Sequence, residues 1–210
     1  MRDESDVIHQ AKDILFDVGD SADRRDDMDV SKAELHTIDE IRALPEGKRA
    51  ELLDGVWYDM AAPGTQHQRL VMSLSSALHE HIRSKGGKCE VFPAPFAVFL
   101  NEKNETYVEP DVSVICDASK LKQDGCHGAP DLVIEITSPS TLSRDYVYKL
   151  NKYQAEGVRE YWIVDPTKET VMIYDFSNPE DSGFLNVVDF DEPVPCTVFP
   201  DLNLVVSDNL

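Results

Sequence analysis

What this chain has little of narrows its chemistry before any motif is read. Basic residues are scarce: 20 Lys and Arg stand against 40 Asp and Glu, a formal net charge of -20. The long-range field therefore repels a polyanion rather than gathering one. Cysteines are few, and Cys89, Cys116, Cys126 and Cys196 include no CxxC pair. That spacing suggests neither a zinc site nor a disulfide framework, and reduced structural thiols are expected. No apolar run is long enough to cross a bilayer, and the opening MRDESDVIHQ lacks the basic-then-apolar order of a signal peptide. A cytoplasmic protein with no membrane partner is expected.

At 210 residues the chain suits one domain with a full core. The run DSADRRDDMDVSKAE holds few apolar side chains, so residues 1–36 are expected to form an acidic, mobile leader and residues 37–210 a single domain. TIDEIRALPEG reads as a short helix ended by Pro45 and Gly47. AELLDGVWYDM reads as a hairpin turning at Asp54-Gly55. Leu70, Val71, Leu74, Leu78 and Ile82 recur at helical spacing until Gly86-Gly87, which predicts a helix over 66–84. Strands are predicted at CEVF, FAVFL, YVEPDVSVI and DLVIEIT, then a helix through DYVYKLNKYQAEG, then strands at YWIVD, TVMIYDF and FLNVVDF. Strand, helix and strand with strands apolar on both faces predict an α/β fold whose sheet is covered on each side.

Glu135 stands in the middle of the apolar strand DLVIEIT. A carboxylate there is costly unless a cation meets it or it takes up a proton. Alternation along the strands groups Val133, Glu135 and Thr137 on one face, and Asp111 with Ser113 and Ile115. Two acids meeting across neighbouring strands would raise each other's pKa unless a cation sat between them, and an oxygen-held Mg²⁺ or Mn²⁺ is the usual solution. Asp145 and Lys149, spaced i and i+4, project from one face of the following helix, and Lys149 can reach back toward the acids. A lysine placed there serves phosphodiester hydrolysis by positioning water and neutralising charge on the phosphorus oxygens.

Simpler readings stand beside these. Asp145 and Lys149, taken alone, read as an exposed helix salt bridge. Asp111 and Asp131 each follow a proline and could merely start strands. His67, ahead of the long helix, reads as a capping or surface histidine. Gly157 and Trp162 read as a turn and a core anchor.

The runs EPDVSVI, GAPDLVIEITSPST and RDYVYKLNKYQAEGVREYWIVDP closely resemble the Uma-two family of restriction-endonuclease-like proteins, a branch of the PD-(D/E)XK nuclease superfamily. The resemblance extends from about Glu51 to about Phe176 and includes His67-Gln68. It implies a restriction-endonuclease-like core, a mixed central sheet flanked by helices, with an N-terminal hairpin extension. It further implies a metal-dependent nuclease with Asp111 and Glu135 as the two motif acids. The lysine expected two residues after the glutamate is replaced by Thr137, and Lys149 is the substitute. Glu51, His67 and Asp145 are candidate supports of the metal site. Arg144 and Lys152 are candidate contacts to a DNA substrate, since a few cations in a cleft suffice despite the net charge. Monomer and homodimer both stay open.

Two classes of function follow: a divalent-metal-dependent endonuclease acting on DNA, or a non-catalytic module of the same architecture that regulates or binds protein. Closely placed Asp111 and Glu135 with the Lys149 ammonium beside them favour the first, and scattered positions the second.

Overall fold

A computed structural model of the chain describes residues 34–139, 141–142, 144–177 and 184–210. The expected leader lies outside these apart from 34–36, where the His36 N–H donates to the Gly55 carbonyl at 2.8 Å.

Helix α1 (Ile38–Arg42) starts where the Glu40 carboxylate turns back to accept the Thr37 N–H at 2.8 Å, satisfying a donor that the first turn leaves free. Strands β1 (Ala50–Leu53) and β2 (Val56–Asp59) form the expected hairpin. Its turn residues Asp54 and Gly55 both have positive φ, 52° and 78°, the conformation an Asp-Gly loop supplies at low cost. Helix α2 (Thr65–Ser84) buries Leu70, Val71, Leu74, Leu78 and Ile82 along one stripe.

Strands β3 (Glu90–Pro93), β4 (Val98–Phe99), β5 (Tyr107–Val108) and β6 (Val112–Ile115) follow, then β7 (Leu121–Lys122), β8 (Gly125–His127) and β9 (Leu132–Ile136). The run YVEPDVSVI, expected as one strand, is divided. Pro110 has no N–H to continue a ladder, and the chain passes there from one sheet, through β5, to the other, through β6. Helix DYVYKLNKYQAEG is a π-helix (Arg144–Lys149) continuing into α3 (Leu150–Glu156), which ends at Gly157, φ 88°. Strands β10 (Glu160–Asp165), β11 (Thr170–Asp175) and β12 (Phe184–Asp189) follow.

Among the described residues the strands form two six-stranded sheets, ordered β2-β1-β5-β4-β8-β7 and β12-β11-β10-β9-β6-β3. The second is mixed, with β9 and β10 parallel and its other pairs antiparallel. Its even-numbered residues on β6 and β9, Val112, Val114, Leu132, Ile134 and Ile136, pack against α2 and the C-terminal segment through Val194, Leu204 and Val206. The opposite face, with Val133, Tyr161 and Ile163, packs against Tyr146 and Tyr153 of the helical segment and against Leu53, Val98 and Val108 of the first sheet. Glu135 shares that second face by alternation. Among the described residues no helix is long and apolar enough to cross a membrane.

The expectation of reduced thiols is corrected as well. Cys89 and Cys116 form a disulfide, with Cα atoms 3.9 Å apart. The β3 to β6 pairing of Glu90 with Ile115, carried one residue further, sets the two cysteines opposite each other. Nothing local in a sequence separation of 27 announces this. Cys126 and Cys196 are free and buried.

Candidate active site

Strands β6 and β9 run antiparallel with Val114 opposite Leu132, Ser113 opposite Val133 and Val112 opposite Ile134. The next step in that register sets Asp111 opposite Glu135, at the point where the chain changes sheets. Asp111 Oδ2 accepts the Ile136 N–H at 2.8 Å, so the side chain takes over a ladder bond at the strand's end. His67, in the first turn of α2, places Nε2 3.1 Å from the same oxygen. Burial lowers the His67 pKa, but the hydrogen bond and charge of Asp111 outweigh it and leave the ring above its ordinary value. The His67 Nδ1 is buried with no hydrogen-bond partner among the described residues.

Lys149 reaches Glu135 from the last position of the π-helix. The wider turn of that helix, a form often found at functional sites, buries Asp145, Tyr146 and Lys149 together while Val147 and Tyr148 stay exposed. The Lys149 Nζ donates to Glu135 Oε1 at 2.8 Å and to Glu51 Oε1 at 2.9 Å, with Asp145 Oδ1 at 3.9 Å. Glu51, on β1, also accepts the Glu109 N–H at 3.1 Å, and its other oxygen lies 3.5 Å from Arg144. The Arg144 guanidinium in turn stacks on Tyr58, 4.9 Å from the ring centre. The first sheet thus supplies an acid to a site built on the second.

These charges are out of water and depend on one another. Burial pushes the Glu135 carboxyl up to about 8 against the pull of Lys149, with Asp111, Glu51 and Asp145 adding to the rise. Burial likewise raises Asp145 to about 6, again opposed by Lys149. For Lys149 burial works downward, but the charges of Glu135, Glu51 and Asp145 prevail and hold it well above the ordinary lysine range. The direction fixed by geometry is a permanent ammonium among carboxylates.

Among the described residues no three His, Cys, Asp or Glu side chains form a ready-made cation cage. The donor set nonetheless fits a hard divalent ion. Asp111 spends Oδ2 on Ile136 and His67, and Glu135 spends Oε1 on Lys149 and Tyr153. Asp111 Oδ1 and Glu135 Oε2 are left without a partner among the described residues. One or two carboxylates with retained waters is how Mg²⁺ is commonly held.

The expected residues therefore come together. Asp111, Glu135, Lys149, Glu51, Asp145 and His67 form one connected cluster, and Arg144 borders it. The exposed salt-bridge reading of Asp145 and Lys149 is overturned, because both are buried and the closer partners of Lys149 lie on β1 and β9. His67 does not cap α2, whose N-cap is Gly64. Lys152 is engaged elsewhere, by Asp54 and by Glu156 at 2.8 Å. Sequence reasoning passed over Tyr153, whose hydroxyl donates to Glu135 Oε1 at 2.7 Å. Its signal was the i, i+4 spacing from Lys149 on the same helix face.

Comparison with known proteins places these features in context. The Uma2 family profile, described as "putative restriction endonuclease", matches residues 35–207. An uncharacterised protein of Synechocystis sp. is 30% identical over 141 residues, 66% of this chain and 72% of its own length. The crystal structure of a "putative nuclease belonging to DUF820" from Anabaena variabilis aligns with a TM-score of 0.65 and 23% identity, over 82% of this chain and 96% of that one. At that identity the likeness concerns the fold.

Proposed function

This chain belongs to the Uma2 family, and from that premise we propose that it is a Mg²⁺- or Mn²⁺-dependent endonuclease hydrolysing DNA phosphodiester bonds. The observation that carries the proposal is the register that opposes Asp111 to Glu135 with the Lys149 ammonium 2.8 Å from Glu135.

Asp111 Oδ1 and Glu135 Oε2 are the atoms that would hold the ion. When bound, a divalent cation supplies an activated water and a clamp on the phosphate. His67 and the Ile136 N–H hold the other oxygen of Asp111, so this carboxylate keeps one orientation. Lys149 stays protonated and thus does not act as a general base. Its part is electrostatic: it keeps Glu135 in place and sets positive charge beside the phosphorus oxygens as their charge grows. Arg144, 15% exposed along its side chain, is the cation at the rim for a flanking phosphate. Cutting both strands of a duplex would call for a second copy of the chain.

The test is cleavage of supercoiled, linear and single-stranded DNA by the full chain in Mg²⁺, Mn²⁺ or EDTA. Nicking that needs metal and is lost in Glu135→Gln is the expected result. Cleavage that survives EDTA or the substitution would overturn the assignment, and inertness toward all three substrates would favour the non-catalytic module.

A further inference from the structure

Glu135 accepts two hydrogen bonds on one oxygen, from Lys149 at 2.8 Å and from Tyr153 at 2.7 Å. The two donors differ in what they can fix. An ammonium is a compact charge with three rotatable donors, and this one is divided between Glu135 and Glu51, so it holds a carboxylate without choosing the plane in which it lies. A phenol has one O–H, kept near its ring plane, and the Tyr153 ring has nowhere to turn. It is fully buried and packs edge-on against Tyr161 with ring centres 5.0 Å apart. A phenol carries its proton at neutral pH, so it is a donor there.

We infer that Tyr153 is a positioning residue: its hydroxyl fixes the Glu135 carboxylate so that Oε1 faces the protein donors and Oε2 is presented to a divalent cation. This rests on the reading of Asp111 and Glu135 as the cation's holders. Partners that orient a metal-binding carboxylate typically change affinity by 10- to 100-fold when lost. Tyr153→Phe keeps the ring and its packing and removes the donor alone.

Titration calorimetry with Mn²⁺ on the full-length wild type, Tyr153→Phe and Tyr161→Phe separates this role from a structural one. Tyr161 is as deeply buried but donates to the Asp145 backbone carbonyl at 3.1 Å. Its loss removes a comparable hydrogen bond without touching Glu135. The expected result is that Tyr153→Phe weakens Mn²⁺ about 10- to 100-fold while Tyr161→Phe binds as the wild type does, whatever either does to the melting temperature. Wild-type affinity in Tyr153→Phe, or equal weakening in both variants, would overturn the positioning role and leave the cation site standing. Absence of Mn²⁺ uptake by the wild type would remove the cation site and the inference together.

Discussion

Lys149 is the residue on which the site's electrostatics turn, because it is the shared counter-charge of Glu51, Glu135 and Asp145. Removing one partner of a buried ion pair leaves the others to stay charged in a poor solvent or to take up protons at a cost, a far larger effect than losing an exposed pair. Lys149→Ala is therefore expected to lose about 3–5 kcal/mol of stability in EDTA, as urea unfolding would measure, and, on the proposed function, all DNA cleavage. A loss under about 1 kcal/mol would match an exposed pair and contradict the burial described here. The sequence marked Glu135 as an acid in need of a cation and offered Lys149 within reach. It left unsaid that Glu51, on a hairpin far away along the chain, shares the same ammonium.

Among the elements, the C-terminal segment depends on one buried acid. Glu160, on β10, accepts the N–H groups of Thr197 and Val198, both at 2.8 Å, and the Thr197 hydroxyl at 2.9 Å, all on Oε2, while Oε1 takes the Trp162 indole at 2.7 Å. This latch draws Val194, Leu204 and Val206 over the central sheet beside α2. Glu160→Ala strands these donors, each a penalty of about 1–3 kcal/mol when buried. Hydrogen exchange should then accelerate at Val194, whose N–H bonds the Leu204 carbonyl at 2.8 Å, well before it does in β9 and β10. Uniform acceleration across the sheet would mean that the segment is part of one cooperative unit. The same scale shows why YVEPDVSVI misled. Its alternation is continuous across Pro110, but only sheet pairing reveals that the chain leaves one ladder and enters another there, and this exchange is what puts Asp111 at a strand end.

For the whole molecule the governing quantity is the net charge of -20. Self-repulsion of that size opposes the compact state and is relieved by screening. The melting temperature is expected to rise between about 0.1 M KCl, where the Debye length is about 10 Å, and about 1 M, where it is about 3 Å. A scan by circular dichroism over that range tests this, and a flat or falling curve would show that opposite charges are already well paired. The DNA binding proposed above would carry the reverse dependence, since screening also removes the attraction of the few cations near the site.

The sequence by itself determined the local pieces: the Asp-Gly hairpin, the α2 stripe, the apolar strands and the odd-numbered placement of Glu135 and Asp111. Each of these follows from turn chemistry or side-chain periodicity within a few residues. Only the tertiary structure decided which charges form one cluster, that Cys89 faces Cys116, that Tyr153 and Lys149 meet on one oxygen, and that Glu160 holds the chain's end. Those facts depend on pairing across long separations, where register and packing bring side chains within hydrogen-bond reach and no local pattern records the partner.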